Sequence, residues 1–494
     1  MNLRDLRRGI SFGTLAVGML FVAFALAAVL MPAQNDTFWH LRAGQEIWRT
    51  HSIPRVDHYS HTFAGAPWPD HEWLAQAMIY AVYRVGGMPG LELGAAALVI
   101  SAAALTWRLM IGTLAARATL MALGLTLSSC VWVLRPHVLT LFLLAVLLTL
   151  LARERYRWLP LLFLFWANAH GGVVLGGLVL AAAWAAALLR WARVRGADDR
   201  RRAITLSIVV ALSGLACAAA PLGFGIYRFV IESTARSMQV KIIEWFPVKP
   251  VDAFGVLFWA ATAGFAALLI TRARRMFISA TVADVAPWAD WAIVAAAVAM
   301  LPLGARSLRN TAPFILLATP AASRLLRADF RMPAAIARLF RRKQPRPPTP
   351  DKPLLNLAIL GFMATLAAVF AGVALASRPE RLGWQPISAA ALAATRACDG
   401  PLYNQYGEGG TLIWFVPDKP VFVDGRQDPY PLPFLLEVVD VEAGRKPYRP
   451  LFDRFGVRCA FLPADASTVD QLAADGWRTR FRDRQWAVLE APPR

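Results

Sequence analysis

Long apolar stretches separated by short polar ones fill residues 10–377. The first, Ile10 to Met31, contains no charged residue. Others cover about Gly90–Trp107, the stretch ending at Leu134, His137 to Arg153, Trp158 to Trp166, and five more between Gly172 and Arg324. The last runs from Leu354 to Ala376. Several exceed the roughly 20 residues that carry an α-helix across a bilayer core. The pattern predicts a polytopic transmembrane helical bundle of about 11 spans. Trp73 to Arg84 is amphipathic and aromatic, as a helix lying along a membrane surface would be. Beyond residue 377 the pattern changes. Short β-like runs at Pro401–Tyr406, Pro420–Val423, Arg458–Leu462 and Trp486–Leu489 alternate with helical stretches at Phe434–Ala443 and Ser467–Ala474. That alternation predicts a small α/β domain. The expected division is residues 1–377, a membrane domain with an outer loop at 32–73, and residues 378–494, a soluble domain. The fold class is mainly α.

Composition agrees: 57% of the 494 residues are hydrophobic. The first apolar run lacks a small-residue cleavage site, so it reads as a retained helix. The 52 Lys and Arg against 32 Asp and Glu give a net charge of +20. Such a charge suits nucleic acid, but no basic stripe with interleaved aromatics is present, and that class is set aside. The arginines instead sort to alternate connections, as the positive-inside rule requires. Met1–Arg8, Arg108 and Arg117, Arg153–Arg157, Arg190–Arg202, Arg272–Arg275 and Arg324–Arg346 fall on one side. The proline-rich end of the last cluster, Pro345 to Pro350, reads as a linker on the inner face. This threading puts the N-terminus in the cytoplasm and the C-terminal domain outside, in the periplasm of an inner (plasma) membrane. Cys130 and Cys217 lie in apolar runs as packing residues. Cys398 and Cys459 lie in the outer domain, where an oxidising compartment permits a disulfide.

The same threading gathers the polar motifs on the outer side. Asn35 to Trp73 holds five of the seven histidines, together with Asp36, Asp57 and Asp70-His71-Glu72. Asp36 follows a membrane helix, where a lipid headgroup would arrive; a carboxylate there serves as general base or metal ligand. Asp70 and Glu72 share one face of an extended segment and support it. Together with Asp36 they are the expected ligands of a divalent cation. Oxygen donors favour magnesium or manganese, while His71 keeps zinc open; no other cofactor is expected. Arg135-Pro136-His137 and Asn168-Ala169-His170 sit at outer helix ends. Arg306 and Arg309 are the phosphate candidates, since the guanidinium fork donates two parallel hydrogen bonds. Glu244-Trp245 suits contact with a sugar or peptide. In the C-terminal domain Asp424, Arg426 and Tyr430 are expected to face the membrane site. Asp57, in the turn-like Pro54-Arg55-Val56-Asp57, is expected to matter little. No nucleotide-binding or zincin motif occurs.

Taken together, these motifs resemble the GT-C membrane glycosyltransferases, a class that includes oligosaccharyltransferases, protein mannosyltransferases and lipid A aminoarabinose transferase. The closest resemblance is to a bacterial group of GT-C-like proteins. Its pattern Asp-x-x-Trp-His-Leu-x-x-Gly is matched by Asp36, Trp39, His40, Leu41 and Gly44. It also has His-Glu-Trp at 71–73, Arg-Pro-His at 135–137, Trp-x-Asn-x-His-Gly-Gly from Trp166, Glu-Trp at 244–245, Arg-Asn at 309–310 and Asp-Gly-Arg at 424–426. The resemblance covers nearly the whole chain. It implies a polyprenyl-phosphate-linked sugar as donor, transfer outside the membrane to a lipid, glycan or protein acceptor, and a role for Asp36 as the acid of the first outer loop. His40, His71, Arg135, His137, Asn168, His170, Glu244, Trp245, Arg306, Arg309, Asp424 and Arg426 are the implied substrate contacts. Tyr406-Gly407 is similar to the end of the Trp-Trp-Asp-Tyr-Gly motif of oligosaccharyltransferases, but Gln405 stands where that motif has Asp, which argues against sequon recognition. Two other classes use such scaffolds. A transporter would carry polar groups at the membrane midplane, where this chain has few. An envelope assembly protein without catalysis shares the fold, and fold alone does not separate the two.

Overall fold

The computed structural model describes residues 9–278, 286–326, 351–377 and 379–493. Met1–Arg8 and nearly all of the basic, proline-rich segment after Arg324 lie outside the described residues. Each predicted apolar run forms a helix: α1 Phe12–Val29, α3 Trp73–Leu109, α4 Leu114–Ser128, α5 His137–Ala152, α6 Leu159–Ala169, α7 Val173–Val194, α8 Ala197–Cys217, α10 Ala253–Leu268, α11 Trp288–Arg306, α12 Thr311–Leu325 and α13 Pro353–Ser377. Two amphipathic helices lie among them, α2 Asn35–Thr50 and α9 Gly225–Gln239. Among the described residues, seven helices are long and apolar enough to cross a membrane. The protein is a multi-pass membrane protein. Eighteen residues of α1 span about 27 Å at 1.5 Å per residue, close to the thickness of a bilayer core.

α1 and α13 run side by side in the same direction. At their starts the Ile10 amide donates to the Pro353 carbonyl at 3.0 Å, and the Asn356 amide group donates to Ile10 O at 3.0 Å. At their far ends the Ala33 amide donates to the Leu382 carbonyl at 2.8 Å. The chain after α1 and the chain after α13 therefore emerge on one face. α3 is two helices in one. Gly87 breaks it with φ 60° and ψ −156°, two residues before Pro89. Residues 73–86 form a separate arm, and residues 88–109 form the span.

The C-terminal region carries a four-stranded sheet in the order β1-β2-β4-β3, with β1 Leu402–Asn404, β2 Cys459–Pro463, β3 Arg478–Arg482 and β4 Trp486–Glu490. β1 and β2 are parallel, with Leu402 opposite Cys459; β4 runs antiparallel to both β2 and β3. Five helices surround it: α14 Ala389–Ala397, α15 Gly409–Phe415, α16 Leu432–Glu442, α17 Arg449–Phe455 and α18 Ser467–Ala474. Cys398 and Cys459 are joined by a disulfide, Cα to Cα 6.0 Å, which ties the end of α14 to β2. Two strand expectations change. β3 reads Arg-Thr-Arg-Phe-Arg and is mostly exposed, a charged edge strand without apolar alternation. Pro420–Val423 is not a strand of this sheet; Val421 pairs with the outer loop instead, its amide donating to Tyr59 O at 2.9 Å and its carbonyl accepting from His61 N at 3.0 Å.

That pairing belongs to a shared core. Trp39, Ala43, Tyr59 and Trp68 of the outer loop pack with Leu412, Ile413, Val421, Phe461 and Val488. α2 is wedged between α15 and the arm of α3. A side chain at Gly44 would collide with the Gln76 carbonyl of that arm, so only glycine lets the two backbones approach so closely.

Candidate active site

The site is a chamber of about 620 Å³ between the first outer loop, the outer ends of the membrane helices and residues 425–428. Asp36 reaches it from the first turn of α2. Gln34 caps that helix: Thr37 Oγ1 accepts from the Gln34 amide at 3.0 Å and donates to the Leu134 carbonyl at 2.7 Å. The cap therefore docks the helix start beside Arg135 and leaves the Asp36 carboxylate for other partners. Arg135 Nη2 lies 2.9 Å from Asp36 Oδ2, and the Trp39 indole donates to Asp36 Oδ1 at 3.1 Å.

From Asp36 a line of alternating charges crosses the chamber. Arg135 Nη1 is 3.5 Å from Glu244 Oε2, and Arg309 Nη1 is 2.5 Å from Glu244 Oε1. Two short turns, Ile243–Trp245 and Leu308–Asn310, hold this geometry. The Leu308 amide donates to Phe246 O at 2.9 Å, and the Ser307 hydroxyl donates to Glu244 O at 3.1 Å. Arg309 also lies 5.1 Å from the centre of the Trp245 ring. Burial raises the Glu244 carboxyl, but Arg309 and Arg135 outweigh it and hold it at about 2.

On the floor, three histidines surround one acid. The Nε2 atoms of His170, His40 and His71 stand 3.4, 3.7 and 3.9 Å from the Glu72 carboxylate. The Gly172 amide donates to His170 Nδ1 at 2.9 Å, so His170 carries its proton on Nε2, facing Glu72. Burial drives His71 down to about 4, and His40 and His170 well below the usual imidazole range. Burial pushes Glu72 up to about 8 against the pull of Arg309, and Asp70 up to about 7. At neutral pH the histidines are uncharged and Glu72 is largely protonated. Asp70 accepts from the Gln76 side chain at 2.7 Å and from the Glu72 amide at 3.3 Å; its other oxygen has no partner.

The lid comes from the C-terminal region. Arg426 is enclosed between Tyr59 and Trp68, with ring centres at 4.8 and 4.7 Å. Asp424 takes its Nε and Nη2 at 2.8 and 2.6 Å, and Asp57 takes Nη2 at 2.7 Å. Arg426 Nη1 has no partner. α9 fastens the same segment: Arg236 donates to the carbonyls of Gln427 and Tyr430 at 3.1 and 2.9 Å. Gly425 lies against Asp36, and a Cβ there would collide with Asp36 Oδ1.

Asp36, His40, Asp70, His71, Glu72, Arg135, His137, His170, Glu244, Trp245, Arg309 and Arg426 all line the chamber. Others do not. Asn168 faces the arm of α3, accepting from the Trp73 indole at 2.9 Å. Asp424 and Tyr430 are buried behind Arg426, the Tyr430 hydroxyl donating to Asp424 Oδ2 at 2.6 Å. Asp57 corrects its expectation: it is 1% exposed and one of the two acids that neutralise Arg426. Tyr406, Asp428 and Glu442 line the chamber without having been singled out as contacts. Burial raises Asp428 to about 7, with Glu72 adding to the effect. Nothing in the local sequence sets the direction of Asp428, and only the fold turns it toward the chamber.

Asp36, Asp70 and Glu72 do not converge. Asp36 is on Arg135, Asp70 on Gln76, and Glu72 among the histidines. Among the described residues no group of three or more His, Cys, Asp or Glu could hold a metal ion. Among the described residues, the three acids expected to hold magnesium or manganese are each engaged elsewhere.

Two apolar grooves open from the chamber. One, of about 540 Å³, runs between α7, α9 and the end of α11, and shares His170, Trp245 and Arg309 with the chamber. Arg306 stands on it rather than in the chamber. Arg306 is exposed and, among the described residues, has no hydrogen-bond or ion-pair partner. The other groove, of about 250 Å³, lies between the two parts of α3 and the start of α5, and shares Arg135 and Pro136 with the chamber.

No protein-family model matches the chain, and no curated protein matches it. Solved structures do. ArnT from Cupriavidus metallidurans in the apo state matches at a TM-score of 0.50 and 17% identity, over 96% of this chain and 98% of that one. The archaeal oligosaccharyltransferase AglB from Archaeoglobus fulgidus, in complex with an inhibitory peptide and a dolichol-phosphate, matches at 0.55 and 12%, over 91% and 69%. The apo form of the Archaeoglobus fulgidus oligosaccharyltransferase matches at 0.54 and 12%, over 90% and 69%. At such identities the fold is what is shared. The chain has a GT-C-like fold, shared with these two proteins.

Proposed function

We propose that this protein is an inverting glycosyltransferase that moves a sugar from a polyprenyl-phosphate donor to an acceptor hydroxyl. The observation that carries the reading is the chamber itself: a carboxylate, Asp36, on one wall, and Arg309 on another beside an apolar groove rimmed by the exposed Arg306. The solved oligosaccharyltransferase with a dolichol-phosphate supports a lipid-phosphate donor for the fold. Here the donor's isoprenoid tail lies in the groove and its phosphate on Arg306 and Arg309.

The acceptor oxygen attacks the anomeric carbon and its proton passes to Asp36. The bond from that carbon to the phosphate oxygen breaks, and the electron pair leaves with the phosphate, whose charge the arginines stabilise. Glu72, largely protonated near neutral pH, and Asp70, about half protonated there, donate hydrogen bonds to sugar hydroxyls and hold the ring in place. We place the chamber on the periplasmic face of the inner membrane, with the N-terminus cytoplasmic. The disulfide between Cys398 and Cys459 supports an oxidising side for the C-terminal region. The test is purified protein in nanodiscs with radiolabelled sugars on polyprenyl phosphate. Consumption of one donor by wild type and not by Asp36→Asn is expected. Equal consumption by both overturns the assignment of Asp36, and consumption by neither overturns the reaction.

A further inference from the structure

We infer that the acceptor is itself a membrane lipid, and that the groove behind Arg135 seats its apolar chain. This rests on the donor reading above, which uses the groove beside Arg306. A displacement brings nucleophile and leaving group to one carbon from different directions. A donor arriving past Arg306 and Arg309 leaves the wall formed by Asp36 and Arg135 for the acceptor. A second apolar groove ends on that wall. Met78, Ile79, Val82, Leu91 and Leu98 line it, and at its inner end Arg135 and Pro136 are the same residues that line the chamber. A water-soluble acceptor has no use for such a groove, whereas a lipid with a hydroxyl-bearing headgroup fits both parts. Its chain would lie along residues 88–109, the membrane-spanning part of α3, and its head would reach Asp36. Arg135, already paired with Asp36 and Glu244, stands where it can also contact a headgroup phosphate.

Gly94 offers a way to close the groove without harming the fold. It lines the groove, and a Cβ there meets only Val82 Cγ1, at 3.8 Å. Gly264 on α10, where a Cβ meets nothing within 4 Å, is the control for added bulk in a span. The full-length protein is placed in phosphatidylethanolamine vesicles with phosphatidylglycerol carrying a diazirine on its acyl chain. Photolabelled residues are mapped by mass spectrometry. Labelling across residues 78–98 is expected to exceed that at the exposed Phe362 of α13. Gly94→Phe should reduce it by at least about tenfold, while Gly264→Phe leaves it unchanged. Labelling no stronger than at Phe362, or unaffected by Gly94→Phe, overturns the proposal. So does equal labelling of residues 78–98 by a diazirine-bearing isoprenyl phosphate, because the groove would then belong to the donor. That second probe should mark Val230 and Leu303 beside Arg306. If it fails there while the phosphatidylglycerol pattern holds, the donor site is wrong and the lipid groove stands.

Discussion

Arg135 Nη2 lies 2.9 Å from Asp36 Oδ2, across 99 residues of sequence. This pair joins the first outer loop to the end of the chain's third apolar stretch. Its neighbours on either side, Trp39 and Glu244, fix both members in place. A carboxylate held this way points into the chamber, where a general base has to stand.

Asp36→Asn keeps size and hydrogen-bonding reach but removes the base. The expected result is a protein that accumulates normally and loses about 10²–10⁴-fold in turnover, the usual worth of general-base help. Turnover at matched expression is the measurement. A variant as active as wild type ends the assignment.

Asp57→Asn should behave differently from what its turn-like sequence suggests. Asp57 accepts from the Ser60 hydroxyl and from Arg426, in a site with no exposed side-chain surface for either partner of the pair. Breaking one partner of a buried ion pair costs on the order of 3–5 kcal/mol. Loss of protein, or a large drop in thermal stability, is expected before any effect on turnover. A stable, fully folded Asp57→Asn would show that Asp424 alone suffices for Arg426.

Asp57 also shows where the sequence was readable and where it was not. The apolar periods revealed the helices because length and hydropathy are local properties. Motifs that meet across the fold were found as a set, since each carries unusual chemistry in a short span. What stayed hidden was direction. Nothing in Asp424-Gly425-Arg426 says that Arg426 faces the chamber while Asp424 is sealed behind it. Asn168 and Arg306 likewise stand close in sequence to His170 and Arg309, which line the chamber, yet one turns to Trp73 and the other to a groove. Pro420–Val423 has the composition of a sheet strand, and its partner proved to be the outer loop.

Stability should vary with pH in a way that identifies the floor of the chamber. Glu72 binds its proton up to about pH 8 when folded, against about 4.3 for an unperturbed Glu in the unfolded chain. Its contribution is therefore full at low pH and is lost as pH rises from the unfolded value to about 8. His71 works in the opposite sense: held at about 4, it costs stability as pH falls below the ordinary imidazole value. Wild type should be most stable slightly below neutrality. Glu72→Gln removes the decline toward pH 8, so its melting temperature relative to wild type should climb between pH 5 and 8 and then level off. A difference that is flat with pH would mean Glu72 titrates normally.

The disulfide should matter in proportion to the chain it closes. Cys398 and Cys459 are 61 residues apart, a loop for which chain entropy gives about 4 kcal/mol. Cys459→Ser is expected to lower the melting temperature of the intact protein and to leave Cys398 free to alkylating agents. Non-reducing mass spectrometry of wild type should show the bridge; two free thiols would contradict it and the oxidising location with it.

Gly425 offers the sharpest test of Asp36, because it changes position without changing chemistry. The glycine lies against the carboxylate, and an added methyl would overlap Oδ1. The obstructing atom is the end of a short side chain rather than backbone, so Asp36 can swing aside at little cost to the fold. Doing so takes it off Arg135 and away from the acceptor. A displacement of about 1 Å at a reacting group costs on the order of 10²-fold. Gly425→Ala should therefore melt close to wild type and turn over about 10²-fold more slowly. In the double variant with Asp36→Asn the two losses should not add, since the alanine harms only what the asparagine has already removed. Additive losses would mean that Gly425 serves the site by some route other than Asp36. Full activity in Gly425→Ala would mean that the carboxylate's position against Arg135 is irrelevant to the reaction.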